Sequence, residues 1–193
     1  MSLISCTKSS SDPAATDSAT TQAAVETSSG SPSEEEATTQ EPDLAPEDVI
    51  LTLGGSVMTF DDFPEEMVLP SWFNEEGEFA LRRMLDEGSL VVTLGRTLSD
   101  KLSDKDTIAA FFGEDNVELK ITEDKALSTQ LGCTAYTVAW SSGSNEDTRQ
   151  DFAVVASNVD EWALYAYFSV DEDYAKDYED RIDDWIDSLE IID

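Results

Sequence analysis

Trp162-Ala163-Leu164-Tyr165-Ala166-Tyr167-Phe168-Ser169-Val170, followed by Tyr174, Tyr178, Ile182, Trp185 and Leu189, decides the fold. The nine-residue run alternates, placing Trp162, Leu164, Ala166, Phe168 and Val170 on one face of a half-buried strand. After Asp171 the period changes. The next large apolar residues fall four, four, three and four apart, which is one stripe along a helix. Such a stripe is not stable alone in water, so it must lie across the sheet that precedes it, and the core is the seam between the two.

Two further strands lead into this run. Residues 135–140 place Tyr136, Val138 and Trp140 on one face, and residues 152–156 do the same with Phe152, Val154 and Ala156. The connections carry turn residues, Ser141-Ser142-Gly143-Ser144-Asn145 and Ser157-Asn158-Val159-Asp160. Period-two runs joined by short turns predict antiparallel pairing.

Upstream, Val49-Ile50-Leu51-Thr52-Leu53, Gly54-Gly55 and Ser56-Val57-Met58-Thr59-Phe60 predict a hairpin, because a Gly-Gly pair supplies the positive φ of a tight turn. Met67-Val68-Leu69-Pro70 reads as a short strand closed by proline. Residues 75–86 favour a helix over a strand, and Asp86-Glu87-Gly88-Ser89 then leads to a strand at Leu90 to Leu94. A short helix is expected over residues 104–112, capped by Ser103 or Asp104, with Ile108, Ala109, Phe111 and Phe112 inward and Gly113 ending it. Val117-Glu118-Leu119-Lys120-Ile121 alternates as one more strand.

The chain of 193 residues carries 43 acids against 11 bases, a formal net charge of −32. That field repels phosphate backbones and anionic headgroups, so nucleic-acid binding is excluded. There is no histidine, which removes the commonest general base, the imidazole metal ligand and the partner that activates Ser or Cys. An enzyme built from this chain would have to work through carboxylates, Lys or Tyr. No run of eighteen apolar residues exists to span a membrane.

Leu3-Ile4-Ser5-Cys6 resembles a bacterial lipobox, in which a branched apolar residue and a small one precede a lipidated cysteine. Cys6 is thus the expected lipid attachment point, with residues 1–6 a remnant of the signal peptide, although the charged and apolar regions of a signal peptide are missing. Residues 7–46 are Ser, Thr, Ala, Pro, Glu, Asp and Gln with few large apolar side chains, a composition that does not repay the entropy of ordering. A tether of about forty residues reaches roughly 35 Å on average. Residues 47–193 then form one α+β domain. The expected product is a lipoprotein anchored outside the cytoplasm, on the cell surface. Cys133 reads as a small buried hydrophobe.

The helix ending Ala109-Ala110-Phe111-Phe112, the Gly132-Cys133-Thr134-Ala135-Tyr136 strand start, the strands around Phe152-Ala153-Val154-Val155 and residues 162–170, and the closing Tyr178, Ile182, Trp185, Ile186 and Ser188-Leu189 resemble the PsbP/Mog1-like family. The resemblance covers roughly the second half of the chain. It implies an α/β/α sandwich, an antiparallel sheet packed by the C-terminal helix and one or two shorter ones. It also implies a non-enzymatic domain that docks onto a protein partner or another envelope component, with no catalytic residues to carry over. The extreme acidity and the region from Phe73 to Leu94 depart from the pattern.

Three candidate sites stand beside this reading. Trp72 and Phe73 follow Pro70 in an expected loop and, exposed side by side, would form a partner contact. Asp180, Asp183, Asp184 and Asp187 share one helix face, where a divalent cation would bind weakly; a solvated face partly relieved by Lys176–Asp180 and Asp177–Arg181 is the simpler account. Paired carboxylates keep open a carboxylate-only glycan hydrolase, which needs an open cleft with two acids at a fixed separation, one of them unusually buried. Nothing in the sequence calls for a cofactor. A calcium-responsive surface domain is the third function considered.

Overall fold

The computed structural model describes residues 44–65, 71–113, 117–144 and 147–193. Cys6, nearly all of the tether and the strand expected at Met67-Val68-Leu69-Pro70 lie outside these residues. The architecture is α+β: a seven-stranded sheet of order β2-β3-β4-β8-β7-β6-β5, every neighbouring pair antiparallel, with helices on both faces. The strands are β2 (Trp72–Phe73), β3 (Phe79–Leu85), β4 (Leu90–Leu98), β5 (Lys120–Glu123), β6 (Thr134–Ser144), β7 (Asp147–Val159) and β8 (Trp162–Asp171). A second, two-stranded sheet joins β1 (Val57–Thr59) to β9 (Glu190–Ile192). The helices are α1 (Pro46–Leu53), α2 (Lys105–Phe112), α3 (Lys125–Leu131) and α4 (Ala175–Asp187).

The decisive run lies at the centre. Phe168, Leu164, Ala166 and Val170 of β8 face α4, whose Tyr178 and Trp185 are buried against them, together with Leu127 and Leu131 of α3. The strand is not half-buried, however. Ala163 and Tyr165 pack on the opposite face with Val138, Ala153, Val155 and Ile108 of α2, so both faces of β7 and β8 are covered. Tyr136, Val138 and Trp140 therefore belong to the α2 side, not to the seam under α4. Where Tyr165 crosses β4, the backbone is Gly95, and a Cβ there would stand 2.1 Å from the ring.

The hairpin expected at residues 49–60 is replaced by α1. Pro46 at the first helical position and Glu47 and Asp48 in the first turn favour a helix start, and the Asp48 carboxylate accepts from the Ala45 amide at 3.3 Å. Gly54 and Gly55 do take positive φ, but to turn the chain out of the helix. Packing reaches back to Leu44, whose carbonyl accepts from Arg83 at 2.9 Å.

The helix favoured for residues 75–86 is a strand. In β3 the residues Phe79, Leu81, Arg83 and Leu85 share one buried side, and the arginine breaks the apolar alternation that would have marked the strand. Arg83 is 2% exposed and is satisfied by carbonyl oxygens, among them Pro64 at 2.9 Å.

The helix expected at residues 104–112 is α2, with Asp104 as cap accepting from the amides of Asp106 and Thr107, and with Gly113 at its end. Its inward face is narrower than expected. Ile108 is buried, whereas Phe111 stays 40% exposed, edge-on to Phe112 and Tyr165. The strand expected from Val117 begins only at Lys120. The α4 stripe likewise starts late: Tyr174 ends a 3-10 turn and is exposed, while Leu189 is buried just past the helix.

Candidate functional site

The helix α4 does not cover the whole sheet face. It lies over β8, α3 packs on the Ala135 end of β6, and between α4 and the other end of β5 and β6 runs a groove of about 1070 Å³. Phe152, Phe168, Val170 and Ala139 form its floor, and Ala175, Ile182 and Ile186 of α4 form one wall. Strand register explains the floor: Ala139, Phe152 and Phe168 are cross-strand partners in one row, so all three point to the same face. Phe152, Ala139, Ile182 and Ile186 remain partly exposed along it. Lys120, Lys176, Glu118, Glu179 and Asp183 line the rim. Beside the groove, β5 forms the last strand of the sheet and, among the described residues, pairs on one side only.

Trp72 and Phe73 do not make a joint surface. They are successive residues of the edge strand β2, so their side chains leave by opposite faces: Trp72 is 39% exposed, and Phe73 turns inward to Phe79 at 6.2 Å between ring centroids. Trp162 packs under Arg96, Trp140 stacks on Tyr167 at 5.6 Å, and Trp185 is buried.

Asp180, Asp183, Asp184 and Asp187 sit exposed along α4, and among the described residues no three acids or thiols converge to hold a cation. Asp183 alone of the four reaches the groove. Arg181 lies 4.6 Å over the Trp185 ring rather than pairing with Asp177. Cys133 is half-buried, and burial pushes its thiol up from the ordinary value.

Two carboxylates are buried among the described residues, and they are far apart. Glu78 lies beside the end of β4, where its Oε1 accepts from Lys101 Nζ at 2.7 Å, from the Leu98 amide at 3.2 Å and from the Thr97 hydroxyl, and its Oε2 from Asn74. Burial pushes this carboxyl up, but the four hydrogen bonds outweigh it and hold it down at about 2. Asp151 accepts from the Tyr167 hydroxyl at 2.7 Å and, through Ser169, falls in register with Val91, seven residues back along β4 from Leu98. At the rise of a strand that is roughly 23 Å, too far for a shared substrate bond.

No single stretch of sequence marked the groove, since its lining comes from β5, β6, β7, β8 and α4 together. The helix α3 beside it was legible in principle: Asp124 caps it by accepting from the amides of Ala126 and Leu127, and Gly132 ends it in the left-handed conformation.

No family model matches the chain, and no curated protein matches it. Among solved structures it is similar to the crystal structure of LpqN, involved in cell envelope biogenesis of Mycobacterium tuberculosis, at 12% identity and a TM-score of 0.45, over 72% of this chain and 85% of that one. It is also similar to the solution structure of cyanobacterial PsbP from Synechocystis, at 16% identity and a TM-score of 0.40, over 64% of this chain and 84% of that one.

Proposed function

We propose that the chain is an envelope lipoprotein, held through lipid on Cys6 and a Ser/Thr/Pro/Glu-rich tether, whose α+β domain binds a partner protein in the groove between α4 and the β5–β6 side of the sheet. The partly exposed apolar side chains of Phe152, Ala139, Ile182 and Ile186 carry this reading, because they leave hydrophobic surface in water unless something covers them. The occupant is a short apolar segment flanked by basic residues. Its apolar part matches the floor, and its charge matches a chain with 43 acids against 11 bases. The free edge of β5 offers such a segment backbone partners as well. The distance between Glu78 and Asp151 weighs against a carboxylate hydrolase, and the strong anchoring of Glu78 leaves it ionised rather than poised to give up a proton.

A defined probe tests the docking. A fluorescent peptide of alternating Leu and Lys, titrated into the full chain, binds and loses at least about tenfold in affinity when Ile182→Glu places a charge in the groove wall. The same peptide with Glu for Lys binds far more weakly. Equal binding by the acidic peptide, or decanoate displacing the basic one, would point to a charge-blind or acyl-chain site and overturn the protein-partner reading. The anchor is tested separately by the intact mass of the native protein: a diacylglyceryl increment on Cys6 is expected, and an unmodified mass in the soluble fraction contradicts it.

A further inference from the structure

At the other end of β8 from the groove, Arg96 occupies a place made for a hydrophobe. Its cross-strand partners are Phe79 and Leu164, both fully buried, and its own side chain is 1% exposed. The guanidinium lies 4.5 Å from the Trp162 ring centroid and 5.3 Å from that of Phe79. Nε donates to the Gly77 carbonyl at 2.9 Å, and Nη1 to the carbonyls of Gly54 at 2.6 Å and Ser56 at 3.3 Å. Nη2 donates to no acceptor among the described residues. No carboxylate pairs with this cation there either, in a chain with 43 acids.

Burying a charge with neutral partners alone costs free energy relative to an apolar side chain of the same volume. Nη2 lies beside Gly77, and Arg96 and Trp162 line a recess of about 560 Å³ together with Gly54, Gly55 and Gly77. The glycines keep it open. A Cβ on Gly77 would stand 3.4 Å from Nη2 and 3.2 Å from the indole, and one on Gly55 3.0 Å from Nη1, with both residues at positive φ. Glu75, Glu76 and Glu161, all exposed, line the same recess.

A guanidinium edge asks for an anion, yet three glutamates and the field of the whole chain repel a simple one. The same glutamates suit an ammonium. We propose that this recess binds a small zwitterion of the α-amino-acid type, with its carboxylate on Arg96 Nη2, its stem against Trp162 and its ammonium group toward Glu75, Glu76 and Glu161. The recess is large enough to admit such a ligand.

The full chain is titrated with L-lysine at low salt, following heat and tryptophan emission, with sodium acetate and cadaverine as the anion-only and cation-only probes. Saturable lysine binding is expected, at least about tenfold tighter than either half-probe. The exposed triple variant Glu75→Gln, Glu76→Gln, Glu161→Gln keeps its melting temperature and binds lysine at least about fivefold more weakly. Trp162→Phe abolishes the emission change. Absence of saturation, acetate binding as tightly as lysine, unchanged affinity in the triple variant, or an emission change that survives Trp162→Phe would each overturn the proposal. Arg96→Met adds a direct check where it folds, and the glutamate variants keep the test decisive where it does not.

Discussion

Phe168 and Trp185 stack with ring centroids 6.0 Å apart and planes 16° from parallel, and Phe60 meets the same indole at 5.1 Å. One buried indole thus ties the central strand to the last helix and to the segment after β1. Trp185→Ala removes that tie and leaves a cavity, with an expected cost of about 4 kcal/mol. Chemical denaturation with near-ultraviolet circular dichroism reads it. A loss under about 1 kcal/mol would mean that α4 is held by something other than this seam.

Gly95 is glycine because Tyr165 lies across it. Gly95→Ala drives a Cβ to 2.1 Å from that ring and should cost about 3 kcal/mol. In a double-mutant cycle, Tyr165→Ala removes the clash, so the second substitution costs far less in that background. Strict additivity would show that the alanine is tolerated by backbone movement instead.

Glu78 makes part of the stability depend on pH. Its carboxyl is held at about 2 in the fold against an ordinary 4.5, so the contribution is complete above the unfolded value and fades as pH falls through the folded one. The difference amounts to about 3 kcal/mol at neutral pH. Comparing urea unfolding of the wild type with Glu78→Gln, the gap is wide near neutrality and shrinks toward about pH 2. A gap independent of pH would show that the hydrogen-bond set around Glu78 is not what holds its charge.

Cys133 should be sluggish toward thiol reagents. Half-burial raises its thiol, and only the thiolate reacts. Labelling of a Cys6→Ser variant with iodoacetamide is expected to be slow in buffer and fast in denaturant. Equal rates in both would place Cys133 on an open surface.

The sequence showed most where local pattern and tertiary demand agree. Residues 162–170 alternate and the stripe ending at Leu189 winds because one face of each meets the other, and Asp104 and Gly113 bound α2 by caps that any context would honour. It misled where a buried charge interrupts a row. Arg83 in β3 made residues 79–85 look helical, and partners distant in sequence, among them the carbonyls of Pro64 and Leu44, make that cation tolerable in a strand. The run Val49-Ile50-Leu51-Thr52-Leu53 fits strand or helix equally by composition, and Pro46 with its two following acids was the signal that separates them. Neither the groove nor the recess was legible. The first is lined by residues from four strands and α4, and the second by three separate loops meeting at Arg96.

The central claim is that the groove between α4 and the outer strands is where the domain meets its partner. A photo-cross-linking residue placed at Ile182 in the groove wall, and separately at Phe111 on the opposite face, tests it in the native cells. The account predicts a protein adduct from position 182, mapped to an apolar segment with basic flanks, and none from position 111. Adducts from Phe111 alone, or only lipid at Ile182, would contradict it.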